Sequence, residues 1–111
     1  MDERITSFKR LLDIMDELRE KCPWDKEQTF ESIRNLTIEE VHELADAILD
    51  KDYIEVKKEL GDLALHLVFY SKIASESNLF TITDVLNGIC EKLIIRHPHV
   101  FGQVNVENQE E

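Results

Sequence analysis

Within residues 38–66, "IEEVHELADAILDKDYIEVKKELGDLALH", acidic residues stand three apart in two successive segments, Glu40 with Glu43 and Glu59 with Asp62. On a helix, carboxylates at i and i+3 project from one face, one turn apart. Ile33, Leu36, Val41, Leu44, Ala45 and Ile48 define the apolar arc of the first segment. Glu40 falls inside that arc, Glu43 at its edge and Glu39 outside it. In the second segment Val56, Leu60, Leu63, Ala64, Leu67 and Val68 mark the apolar side. Glu59 lies at its border, and Asp62 and His66 continue down the same side. The short "DKD" connection requires the two segments to pack antiparallel, so the acidic edges can face each other. Four converging carboxylates would repel and take up protons unless a cation joins them. Mg²⁺ or Mn²⁺ suits such a site, because a hard divalent ion takes oxygen ligands and keeps waters for a substrate's phosphates.

Simpler roles exist for each acid alone. Thr37 with Glu40 forms a capping box if the helix starts late. Glu43 can be a solvated edge residue, and Glu59 and Asp62 can pair with Lys57 or Lys58. Two paired clusters on adjacent segments, one member inside an apolar arc, favour the shared site over four separate accidents.

These acids must be held by helices. Ile5, Phe8, Leu11, Leu12, Met15 and Leu18 recur at helical spacing and predict a first helix over about residues 3–20. "KCPWDKEQT" interrupts it, with Pro23 forbidding continuation, Asp25 and Thr29 as turn or cap formers, and the only tryptophan, Trp24. The second helix carries the first acidic pair. Asp52 with Glu55 resembles a capping box that opens a third, and Leu65, Phe69 and Ile73 make its later part apolar all round, so it is buried by the bundle or by a second subunit. After the break "SESNLF", Thr81 with Asp84 caps a fourth helix through Ile82, Val85, Leu86, Ile89, Leu93 and Ile94. That helix should stop near "RHPHVFG", since the residue before Pro98 avoids helical angles. Residues 103–111 read as a polar, flexible tail. The expectation is an all-α, four-helix bundle forming a single domain over residues 1–111, assembled as a homodimer or larger.

Composition agrees with that class. The 111 residues are 42% hydrophobic and 33% charged, with only 3 Gly and 2 Pro, which suits helices better than a turn-rich β fold. The formal charge of −11 repels phosphate backbones and disfavours nucleic acid as a partner, although a small phosphorylated ligand remains compatible where cations gather locally. No apolar run approaches a membrane span, and the charged N-terminus lacks a signal-peptide pattern. Two cysteines, Cys22 and Cys90, have neither metal spacing nor a disulfide pattern, so a reducing cytoplasm is expected.

"EEVHE", fifteen residues, then "ELGD" resembles the E-E-x-x-E…E-x-x-D signature of MazG-type nucleoside triphosphate pyrophosphohydrolases. "CPWDKEQT" upstream, "DAI" between and "EKLIIRHPHVFG" downstream extend the likeness over residues 8–110. The chain has "QTF" where members often have "QTH", and members often have Gln or Glu near the position of His66. The resemblance implies an all-α, oligomeric, Mg²⁺-dependent enzyme that hydrolyses an NTP or dNTP to the monophosphate and pyrophosphate, often as house-cleaning of the nucleotide pool. It implies Glu40, Glu43, Glu59 and Asp62 as metal ligands and Glu39 as an outer, water-orienting acid. Lys92 and Arg96, one turn apart, become the phosphate clamp; ordinary solvation at a helix C-terminus is the alternative. Trp24 becomes a stacking surface for the base and Gln28 an edge hydrogen-bonding group; the alternative has Trp24 anchoring its loop in the core. His66, His97 and His99 read as structural. A different class of function also fits, a nucleotide- or metal-binding regulatory module that keeps the ligands without turnover.

Overall fold

The structure is a computed structural model that describes residues 1–102; the tail expected at 103–111 lies outside them. Among the described residues there are four long helices and two short ones, and no strand. α1 (Glu3–Lys21) starts at an Asp2 cap whose side chain accepts the Arg4 N–H. It ends at Cys22, extended ahead of Pro23 as the residue before proline prefers. Pro23 then opens a one-turn helix, α2 (Pro23–Lys26), inside the segment expected to be loop.

α3 (Phe30–Leu49) begins at a reciprocal cap between Thr29 and Ser32. Thr37 is therefore mid-helix, its hydroxyl 3.2 Å from the Ile33 carbonyl, and the late-start cap with Glu40 does not form. Lys51 takes the left-handed backbone conformation with φ 58° and reverses the chain within a few residues. α4 (Tyr53–Glu76) then runs back along α3, the most extensive helix pairing in the chain. Asp52 accepts the Glu55 N–H, but the return bond of a capping box is absent; the Glu55 carboxylate sits 3.6 Å from Lys58 instead. α5 (Ile82–Arg96) starts at the expected Thr81–Asp84 reciprocal cap. His97 ends it, and Pro98 opens a last turn, α6 (Pro98–Phe101).

The core joins α1, α3 and α4: Met15, Ile33, Val68, Phe69 and Ile73 are buried, with Phe8, Leu11, Leu12, Phe30, Leu65 and Tyr70 packed around them. The later half of α4 is buried all round, as its apolar pattern predicts. α5 differs. Ile82, Val85 and Leu86 are half-buried, but every residue from Asn87 to Arg96 is exposed, including Ile89, Leu93, Ile94 and Ile95. Leu36, Val41 and Ile48 of the α3 stripe are exposed too. The Cα radius of gyration is 17.2 Å, against about 13 Å for a compact chain of this length. One chain leaves the bundle open, with α5 as its outlying arm.

Candidate metal centre

Antiparallel packing of α3 on α4 brings the acids together. Glu40 and Glu43 descend one face of α3, Glu59 faces them from α4, and ligand oxygens of all three lie within 4.8 Å of one another. Glu59 is only 4% exposed, and its Oε1 has no hydrogen-bond partner. A buried carboxylate oxygen without a donor is costly unless something positive reaches it. Neither Glu59 nor Asp62 forms an ion pair with Lys57 or Lys58 among the described residues. Hydrogen bonding to the Glu55 carboxyl, loss of hydration and the charges of Glu40 and Glu43 push the Glu59 carboxyl up to about 7. Burial first, then the charges of Asp62 and Glu43, raises the Glu40 carboxyl. A donor set of oxygens only, gathered at the cost of mutual repulsion and including an orphaned buried atom, fits a hard divalent cation.

Asp62 lies one turn further along α4; it is exposed and outside the 4.8 Å cluster, though its charge reaches Glu40. Glu39 is exposed, on the side its helical angle predicts. Toward the α3–α4 turn, Glu43, Asp46, Asp50, Asp52, Glu55 and Glu59 line a groove of about 230 Å³. Asp46 and Asp50 escaped the sequence reading, although their spacing from Glu43 puts them on the same face of α3. In the other direction Thr37 Oγ1 lies 2.7 Å from His66 Nδ1 and 2.6 Å from the Tyr70 hydroxyl. Burial holds the His66 ring below its ordinary pKa, against the opposing pull of Asp62. His66 is thus the structural residue expected, tying α4 to α3 beside the acids. His97 likewise bonds the Leu93 carbonyl at 2.7 Å.

The other expected site residues stand apart. Lys92 and Arg96 lie on the exposed part of α5, and no ion pair or hydrogen bond among the described residues links them to the acids. Trp24 is 65% exposed, so it does not anchor its loop in the core. Both ends of the Gln28 amide work within the loop: Nε2 donates to the Trp24 carbonyl at 3.0 Å, and Oε1 accepts from the Ser32 hydroxyl at 2.7 Å. What holds this loop is Arg19, which the sequence reading did not single out. Its Nη1 donates to the carbonyls of Asp25 (2.7 Å), Lys26 (3.0 Å) and Gln28 (3.0 Å). Nε and Nη2 grip the Glu76 carboxylate at 2.9 and 2.8 Å. Neither partner is close to Arg19 in sequence pattern, and Glu76 is distant in the chain, so only the fold reveals the contact.

The chain is an open all-α bundle with an oxygen-only acidic cluster between antiparallel helices, an arrangement that can hold a metal ion. The pattern of the MazG nucleotide pyrophosphohydrolase domain matches residues 28–101, and the chain belongs to that family. It is 47% identical over 110 residues to the nucleoside triphosphate pyrophosphohydrolase of Escherichia coli strain K12, a match covering 96% of this chain and 42% of that protein. It is 49% identical over 104 residues to the nucleoside triphosphate pyrophosphohydrolase/pyrophosphatase MazG of Thermotoga maritima, covering 92% of this chain and 41% of that one. The chain therefore spans less than half the length of these relatives. Its fold is also that of a mazG-related protein from Thermotoga maritima, with a TM-score of 0.75 at 24% identity over 91% of this chain and 90% of the other.

Proposed function

We propose that this chain is a nucleoside triphosphate pyrophosphohydrolase, converting an NTP or dNTP and water to the monophosphate and pyrophosphate. The observation that carries this reading is the buried, unpartnered Glu59 Oε1 facing Glu40 and Glu43. Family membership supplies the substrate class.

Glu40, Glu43 and Glu59 hold Mg²⁺, or Mn²⁺ in its place, and Asp62 completes the set from the next turn of α4. Bound there, the ion supplies Lewis-acid polarisation of the phosphates and an acidified water. The chain's own residues do the rest. Glu39, outside the cluster, orients solvent at the groove's rim. Lys92 and Arg96 clamp the phosphates and offset the charge on departing pyrophosphate. Trp24 offers a face for the base. A homo-oligomer brings these parts together: the apolar residues Ile89, Leu93 and Ile94 on α5 and Leu36, Val41 and Ile48 on α3 are exposed in one chain, and covering them stabilises a second copy. No described helix is long and apolar enough to cross a membrane; two free thiols fit a cytoplasmic, house-cleaning role on the nucleotide pool.

Pyrophosphate release from canonical and damaged NTPs and dNTPs, with and without Mg²⁺, tests the reading. Glu40→Gln and Glu43→Gln should each lower turnover on the order of 10³-fold while circular dichroism shows an intact helical fold. Wild-type turnover in both variants would refute the metal assignment. Tight nucleotide binding with no product from any substrate would make the chain a regulatory module instead.

A further inference from the structure

The acids occupy one end of the α3–α4 face, and toward the turn the groove from Glu43 to Glu59 is lined almost wholly by carboxylates. In the other direction the face loses its charge. Asp62, His66 and Tyr70 follow one another at four-residue steps down α4, and Thr37 stands one turn before Glu40 on α3. The rise from Asp62 to His66 is about 6 Å. Divalent ions travel with a nucleotide's phosphates, so the acidic end of the face is the phosphate end. The neutral end is left to the nucleoside. Its sugar hydroxyls lie a few bonds from the α-phosphorus, a span comparable to one helical turn of about 5.4 Å.

Thr37 fixes the state of the imidazole at that place. Its Oγ1 has three neighbours: the Ile33 carbonyl at 3.2 Å, His66 Nδ1 at 2.7 Å and the Tyr70 hydroxyl at 2.6 Å. A hydroxyl has one proton to donate and two lone pairs to accept with, and a carbonyl can only accept. One arrangement makes all three contacts hydrogen bonds: Thr37 donates to Ile33, while Tyr70 O–H and His66 Nδ1–H donate to Thr37. Burial holds the ring below its ordinary pKa, so at neutral pH Nε2 carries a lone pair and no proton. Nε2 bonds to no group among the described residues. The only buried side-chain oxygen or nitrogen without a partner there is Glu59 Oε1, so Nε2 is open to solvent. The ring is braced as well: it meets Tyr70 edge-on at a centroid distance of 6.4 Å, and Tyr70 is stacked on Phe30 at 5.8 Å.

We propose that His66 is a specificity-determining residue whose Nε2 accepts a hydrogen bond from a sugar hydroxyl of the nucleotide. The inference rests on the proposed nucleotide hydrolysis and names the group that reads the sugar. One nitrogen of the ring serves the structure and the other the substrate, with Thr37 and Tyr70 as positioning residues. An acceptor fixed before the substrate arrives needs little further ordering on binding. A sugar lacking that hydroxyl leaves it unpaired behind the bound nucleotide, which is how a polar site rejects an analogue. Its place a full turn from the acids separates it from water held at the cation.

The experiment uses the full chain with Mg²⁺, the nucleoside triphosphate that it hydrolyses fastest, and analogues of that substrate lacking each sugar hydroxyl in turn. Wild type should lose kcat/KM on the order of tenfold with one of the analogues, chiefly through KM. His66→Asn keeps an N–H donor for Thr37 at the place of Nδ1 and removes the acceptor. It should lower kcat/KM for the full substrate by about the same factor and discriminate against the analogue by less than about twofold. His66→Gln carries an amide oxygen as far out as Nε2 and should restore discrimination to about threefold or more. Thr37→Val, which removes the hydroxyl that sets the tautomer, should reduce discrimination too and decides the matter where His66→Asn does not fold. Calorimetric binding of the unreactive α,β-imido forms should weaken by the same factors. A wild type indifferent to every hydroxyl overturns the proposal without any variant, and so do variants that still discriminate about tenfold. A loss confined to kcat and equal for all substrates overturns it in favour of a role at the attacking water. Pyrophosphate release with flat selectivity leaves the hydrolase reading intact, whereas no pyrophosphate from any substrate overturns both.

Discussion

The acidic groove and the α5 arm are both helical and both rich in residues of the family signature, yet one is gathered between two packed helices and the other stands largely exposed. Glu40, Glu43 and Glu59 converge because α3 and α4 are joined by a turn of a few residues and have no other way to pack. Lys92 and Arg96 project from a helix whose half-buried residues, Ile82, Val85 and Leu86, all lie in its first turns. Local connection brings together the charges that repel. On the proposed hydrolase reading, the contrast predicts different responses to damage in the two regions.

After the Glu40→Gln and Glu43→Gln losses, the next largest effect is expected at the cationic arm. Replacing both Lys92 and Arg96 with Ala should lower kcat/KM by about 10²-fold or more, while calorimetric titration of Mn²⁺ into the acids stays near wild type. A parallel collapse of metal binding would show that the two regions are not separable. A smaller effect should follow Leu93→Glu, which places a charge on the exposed apolar face of α5. Its expected outcome is dissociation to a monomer on size-exclusion chromatography, with a several-fold loss of activity recovered at high protein concentration. An unchanged elution volume would remove α5 from the interface.

The smallest effect concerns the groove without metal. The Glu59 carboxyl is raised from its ordinary 4.5 to about 7, so the folded chain binds a proton more tightly than the unfolded chain does. Stability should therefore fall as pH rises from about 4.5 through about 7, and the full penalty should persist above that. Thermal unfolding in a chelator should show this decline, by a few degrees. Glu59→Gln should flatten it, and Mg²⁺ should stabilise the wild type more at pH 8 than at pH 5. A chelated wild-type protein whose unfolding temperature does not fall over that range would show that Glu59 is not strained by its neighbours.

Much of this architecture was legible before any coordinates. The Thr81–Asp84 cap, the break at Pro98 and the antiparallel α3–α4 pair all arise from contacts only a few residues apart, which spacing and residue type report directly. The start of α3 was harder, because Ser32 replaces the Glu or Gln that usually marks a reciprocal cap. Asp46 and Asp50 were missed by stopping at the signature acids, although helical spacing carried them along the same face. Arg19 was beyond reach in principle. Its partners are three carbonyls whose directions depend on the short α2 turn, together with a carboxylate at the far end of another helix.

The sequence alone determined the helices, their caps and the pairing of acids on each helix face, because periodicity and local hydrogen bonding act within a turn or two. Only the tertiary structure decided which acid would be buried without a partner, that Trp24 would remain outside the core, and that α5 would stand away from the carboxylates. Those outcomes depend on how much surface each helix finds to pack against, a quantity set by the whole assembly of α1, α3 and α4 and not by any one segment.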